Sequence, residues 1–299
     1  MTANTRLGDG ARAVGFFALF LILAALFLSR SSDAILAQGT ATLVAALLAT
    51  GIMVRTERVG FGWVGLPLGG GVRDLSRGIV LGAGVALLAI LLAWAVGGLR
   101  WARAAGGVIE YGATGAWTLI ILLAPAVAEE VVFRGYPLRV LVRSWGPAMG
   151  LMVTSVAFAA LHGWNPEVGP WSLANLGLAG LFLGVVMLKT GSLWWASGAH
   201  VGWNVATAYV ADLPLSGLRI VDTPMLDVAQ GGREWITGGG FGIEGGLAAT
   251  LSLCIGTVAL LGSRHPAPSR EALSRGSLAP FRRHAVPSLL SRMGDSEEE

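Results

Sequence analysis

Six polar side chains, five of them ionisable, stand inside or at the ends of long apolar runs, where such groups are least expected. Glu129, Glu130 and Arg134 lie in LLAPAVAEEVVFRGY, His162 closes VTSVAFAALH, and His200 and Asn204 share WWASGAHVGWN. An ionisable group at membrane depth costs about 3 kcal/mol or more and marks a functional site by default. The chain has 4 histidines, and the other two, His265 and His284, fall in a polar C-terminal stretch. Both histidines of the apolar runs therefore sit in polar constellations.

Helical spacing divides the labour. Glu130 and Arg134 are four apart, share a helix face and can form an ion pair. Glu129 is turned about 100° from Glu130, so that pair does not consume it. A carboxyl without a cationic partner in a low-dielectric site suits general base and acid work. His200 and Asn204, again four apart, present an imidazole and an amide to one cavity, and the amide can donate to a developing oxyanion. His162 is the partner for Glu129 in holding a water, or a ligand for a metal that activates one. Each feature also has a purely structural reading: an i,i+4 Glu–Arg pair, a hydrogen-bonded core histidine, polar contacts between membrane helices. Phe158, four before His162, reads as packing. The combination on three separate segments is what favours chemistry.

These residues need a membrane bundle to bring them together. The chain of 299 residues is 54% hydrophobic and 13% charged, with mean hydropathy +0.67; a soluble domain carries about twice that charge. Apolar runs long enough to cross about 30 Å of hydrocarbon predict eight helices, near 13–29, 33–54, 78–98, 116–141, 147–163, 171–188, 193–210 and 245–261. The fold expected is an all-α polytopic transmembrane bundle. It divides into N-terminal helices (1–115), a core carrying the site (116–262) and a polar tail (263–299) with the composition of disorder. With the N-terminus inside and alternating spans, 16 of the 21 Lys and Arg fall inside and 5 outside, which places both termini in the cytoplasm. Residues 212–240 form a long outer loop. The pI near 9.6 reflects basic residues scattered over short loops, a topology signal that excludes a nucleic-acid partner. One cysteine, Cys254, excludes a disulfide framework and a cysteine metal cluster.

Glu129-Glu130-x-x-x-Arg134, Phe158-x-x-x-His162 and His200-x-x-x-Asn204 resemble, in order and spacing, the three motifs of the CPBP family: CAAX prenyl proteases of the Rce type and Abi-type, bacteriocin-processing membrane proteins. The resemblance covers about 116–210, and GGGFGIEGGL (238–247) is similar to a Gly-rich segment of some bacterial members. It implies an intramembrane endopeptidase, called a metalloprotease in much of the family, with a cavity open to the cytosol and a peptide or membrane-protein substrate. By motif, Glu129 would activate water with help from His162, Glu130 and Arg134 would shape the site, and His200 and Asn204 would stabilise the oxyanion. Members are described both as metalloproteases and as glutamate-based enzymes without metal. Glu129, His162 and His200 could hold one divalent ion such as zinc, although H-E-x-x-H is absent. The sequence selects neither. The Gly-, Ala- and Arg-rich composition looks bacterial, which points to a plasma membrane and argues against carrying over prenylated substrates. Rival readings are a rhomboid-like serine protease using Ser197 with His200, a transporter or proton relay, and a peptide-binding scaffold without catalysis.

Overall fold

The computed structural model describes residues 3–32, 34–66 and 69–268. The tail expected to be disordered lies, from 269 onward, outside the described residues. The chain is an all-α bundle. The N-terminal helices are α1 (Ala3–Leu28), α2 (Ile35–Thr56) and α3 (Gly71–Ala95), and a short strand β1 (Leu99–Arg103) follows. Then come α4 (Val108–Glu130), a π-helical turn (Val131–Gly135), α5 (Tyr136–Trp145) and α6 (Pro147–Leu161). A 3₁₀ turn (His162–Trp164), α7 (Pro170–Thr190), α8 (Leu193–Val205) and a second π turn (Ala206–Val210) complete the core. Strand β2 (Leu226–Gln230), one-turn α9 (Glu234–Thr237) and α10 (Leu247–Gly262) close the described chain.

All eight expected segments are helical, but among the described residues six helices are long and apolar enough to span a membrane. Those expected at 193–210 and 245–261 contain α8, of 13 residues, and α10, of 16. α8 with its π turn is long enough, but Trp194, Trp195, His200, Trp203 and Asn204 leave the stretch too polar. The span expected at 116–141 is a longer unit, Val108–Trp145, because polar residues at either end continue the helix rather than break it. The outer loop is more ordered than its Pro and Gly content predicts. β2 pairs antiparallel with β1, and the buried Asp212 carboxylate accepts from the backbone N–H of Thr223 (3.0 Å) and Val228 (3.3 Å) and from Arg219 (2.9 Å).

Packing around α8 rests on backbone-to-backbone approach. Gly78 and Gly82 of α3 face Gly198 and Gly202 of α8; a Cβ on Gly82 would meet the Ala199 carbonyl oxygen at 1.8 Å, and one on Gly198 the Leu75 carbonyl oxygen at 2.2 Å. Small residues four apart let membrane helices meet this closely, where van der Waals contact replaces the missing hydrophobic drive. A similar device brings α2 onto α4: a Cβ on Gly39 would lie 2.6 Å from the ring of Pro125, one turn before Glu129. On the face that carries Asp9, Arg143 of α5 ties α1 to the end of α2. It donates to Asp9 (2.5 and 2.9 Å) and Glu57 (3.1 Å), and Ser144 also bonds Asp9.

Candidate active site

α5 and α6 are the arms of a helical hairpin turning at Gly146, and α4 continues the first arm through the π turn. Glu129 stands 17 residues before that glycine and His162 16 after it, about 25 Å along each arm at the helical rise. His162 is far along its own helix and yet level with Glu129. Measured from the end of α6 alone it looks too deep; measured against its neighbour it is in place. α8 enters from the turn after α7 and brings His200 beside both.

Glu130 and Arg134 are fully buried. Arg134 donates from Nη1 to Glu130 Oε1 (2.9 Å) and from Nη2 to the Gly180 carbonyl (3.1 Å), and its guanidinium lies 4.5 Å from the Phe158 ring centroid. The same Glu130 oxygen is 2.9 Å from His200 Nδ1. Ionised and paired with arginine, Glu130 only accepts, so the His200 proton sits on Nδ1. His162 Nδ1 is 2.8 Å from the Phe158 carbonyl, which also only accepts. Each imidazole, when neutral, therefore offers its Nε2 lone pair towards Glu129: Oε2 is 3.8 Å from His162 Nε2 and 3.9 Å from His200 Nε2. That oxygen is buried and has no hydrogen-bond partner, although the Glu129 side chain as a whole is 31% exposed. Three acceptors thus converge with no donor between them. A water has two protons to donate, so one at about 2.8 Å could bridge Glu129 Oε2 and one imidazole Nε2 at a time, with the other imidazole alongside.

The structure brings together Glu129, Glu130, Arg134, His162 and His200. Asn204, buried one turn beyond His200, makes no hydrogen bond to the other five; its place rests on the helix they share. Phe158 packs as expected, between the guanidinium and the His162 ring (4.7 Å between centroids). Neutral His200 is an acceptor towards Glu129 and becomes an oxyanion donor only after taking a proton at Nε2. The Ser197 hydroxyl is fully buried and unbonded, so the serine–histidine pair of the rhomboid reading is not made.

The donor types suit zinc, and each imidazole has its second nitrogen on an oxygen, as metal-binding histidines do. The spacing does not suit it. Ligands about 2.05 Å from a tetrahedral ion lie about 3.3 Å apart, shorter than either imidazole–carboxylate distance. Among the described residues no group of three or more His, Cys, Asp and Glu could hold an ion. The residues as they stand do not fit a metal, and no step below runs through one.

A small cavity beside the imidazoles lies between α6, α7, α8 and α10, and its lining includes Phe158, His162 and His200 together with Ser216 and Glu244. The sequence reading missed Glu244. Its signal is an acid flanked by glycine in an otherwise apolar stretch, GGGFGIEGGL.

Residues 112–206 match the family model for Type II CAAX prenyl endopeptidase Rce1-like proteins. The match contains all six sequence candidates and stops short of Glu244. No curated protein and no solved structure matches the chain.

Proposed function

We propose that this membrane protein is an intramembrane endopeptidase in which Glu129 activates a water held between its Oε2 and His162 Nε2, with His200 Nε2 alongside. The observation that carries the reading is the buried, unpartnered Glu129 Oε2 with an imidazole Nε2 at 3.8 Å and a second at 3.9 Å. The match of residues 112–206 to a protease family supports it.

The chemistry follows from the contacts. Glu129 takes a proton from the water as its oxygen attacks the scissile carbonyl carbon. His162, its Nδ1 fixed by the Phe158 carbonyl, aligns the water as an acceptor. His200 is braced by Glu130 as an imidazole is braced by a carboxylate in a catalytic triad. Once His200 Nε2 has taken a proton from solvent before the attack, Glu130 stabilises the cation, and the N–H donates to the oxyanion and keeps its proton through the turnover. Asn204 is the further amide donor proposed for it. Glu129 returns its proton to the leaving amine as the C–N bond breaks. Arg134 touches none of the reacting atoms; it holds Glu130, and through it His200, in place.

The substrate class is a peptide or membrane-associated polypeptide, without the prenylated terminus of CAAX proteins, in a bacterial plasma membrane. The test is proteolysis of a peptide library by the purified, detergent-solubilised protein. Cleavage is expected to vanish in Glu129→Ala and His162→Ala and to survive thorough metal removal by a chelator. Wild-type activity in Glu129→Ala would end the proposal.

A further inference from the structure

The proposed reaction does not use Glu244, yet this residue is buried and both oxygens of its carboxyl are bonded. Oε1 accepts from the Trp203 indole N–H (3.0 Å), and Oε2 accepts from the backbone N–H (2.8 Å) and hydroxyl (2.6 Å) of Ser216. The Glu244 carbonyl accepts from Asn175 of α7 (2.7 Å), and the Ser216 carbonyl accepts from Asn165 (3.0 Å), three residues after His162. One residue thus ties α8, α7 and the 212–217 loop together.

Its partners dictate the residue type. The indole N–H and the Ser216 backbone N–H only donate, and they meet different oxygens. An ionised carboxylate accepts at both; a glutamine would turn its NH2 towards one of them and set two donors face to face. Packing alone would not select a carboxylate here, because burying one is costly. Trp203 lines the small cavity together with His200 and precedes Asn204. On α8 it is turned about 100° from Gly202 of the glycine seam and about 60° from His200. Seam and indole therefore grip the helix on neighbouring flanks, with the imidazole next in order. We propose that Glu244 is a positioning residue for the catalytic centre: through Trp203 it sets the rotation of α8, and with it the aim of His200 Nε2 and the Asn204 amide. The segment 211–246 then belongs to the catalytic unit, although the family match ends at residue 206. The effect on turnover rests on the peptidase reading, whereas the Glu244–Trp203 clamp is separable from it.

Two measurements on the full-length, detergent-solubilised protein test this. The first needs no turnover: with 15N-labelled tryptophan, the indole N–H signal that disappears in Trp203→Phe should move in Glu244→Gln. A signal that stays in place would overturn the clamp. The second is a kinetic double-mutant cycle, with wild-type melting behaviour as the control for folding. Glu244→Gln and Trp203→Phe should each lower kcat about tenfold, less than the loss for a 1 Å displacement, and leave KM within about twofold. The double variant should be no slower than the slower single one, because both cut the same link. Unchanged kcat in either variant, or losses that multiply to about a hundredfold, would overturn the positioning role and leave the peptidase standing. Should Glu244→Gln not fold, Trp203→Phe carries the kinetic test alone, and unchanged kcat in it overturns the proposal. A moved signal with no cleavage by the wild type would fell the peptidase reading and the positioning role with it, and leave only the clamp.

Discussion

Replacing Arg134 with methionine removes three contacts while keeping most of the side-chain volume. They are the 2.9 Å ion pair to Glu130, the 3.1 Å hydrogen bond to the Gly180 carbonyl and the stacking on Phe158. Both partners are fully buried, so the main cost is an uncompensated carboxylate rather than lost attraction. Breaking a buried pair from one side typically costs about 3–5 kcal/mol. His200, 2.9 Å from the same oxygen, can take up a proton and relieve part of that, which places the expected loss near the lower end, about 3 kcal/mol. Glu130→Gln in the same background removes the stranded charge. The double variant should therefore be about 2 kcal/mol more stable than the sum of the two single effects. Reversible unfolding in mixed detergent micelles, run as a double-mutant cycle, reads this directly. Additivity within about 0.5 kcal/mol would refute the view that Arg134 neutralises Glu130, and with it the bracing of His200.

Three further outcomes follow from other contacts. Glu129→Gln should abolish peptidase activity while leaving the melting temperature unchanged or raised, because Oε2 has no partner to lose; a clear drop in melting temperature would show that the carboxyl is structural. Gly82→Ala puts a methyl where the Ala199 carbonyl oxygen lies 1.8 Å away and must push α8 outward. Activity should fall about 100-fold, as it does when a catalytic group is displaced by about 1 Å; unchanged turnover would mean that His200 is not positioned by this seam. Burial raises the Glu57 pKa, but the hydrogen bonds and charge of Arg143 outweigh it and hold the carboxyl below its ordinary 4.5. A group with a lowered folded-state pKa stabilises the fold above its unfolded value and loses that contribution as pH falls through the folded one. Melting curves taken downward from pH 6 should show the wild type losing stability below about 4.5 more steeply than Glu57→Gln; parallel curves would remove Glu57 from the account.

Much of the site could be read from spacing alone. Glu130 and Arg134 pair because i and i+4 share a helix face, and Glu129 is left free because it does not. The partner of His200 could not be read in the same way, since it is Glu130 on another helix, and spacing within WWASGAHVGWN points only to Asn204. Glu244 lay hidden because its buried setting is built by Trp203 and Ser216, which are 41 and 28 residues away in the chain. The β1–β2 pair escaped notice because two five-residue segments more than a hundred residues apart carry no local hairpin signal. The π turns after Glu130 and Val205 break no pattern of hydrophobic residues, and the sequence gives no warning of them.

The equal arms of the Gly146 hairpin constrain how such a chain can change length. Deleting one residue of α6, between Gly146 and His162, would slide one member of the pair by about 1.5 Å and swing it by about 100°, out of reach of a shared water. The composition of the arms can drift, and the turn itself can be redrawn, but their lengths are locked together. Grafting the pair onto another membrane scaffold would therefore require copying a distance rather than a motif.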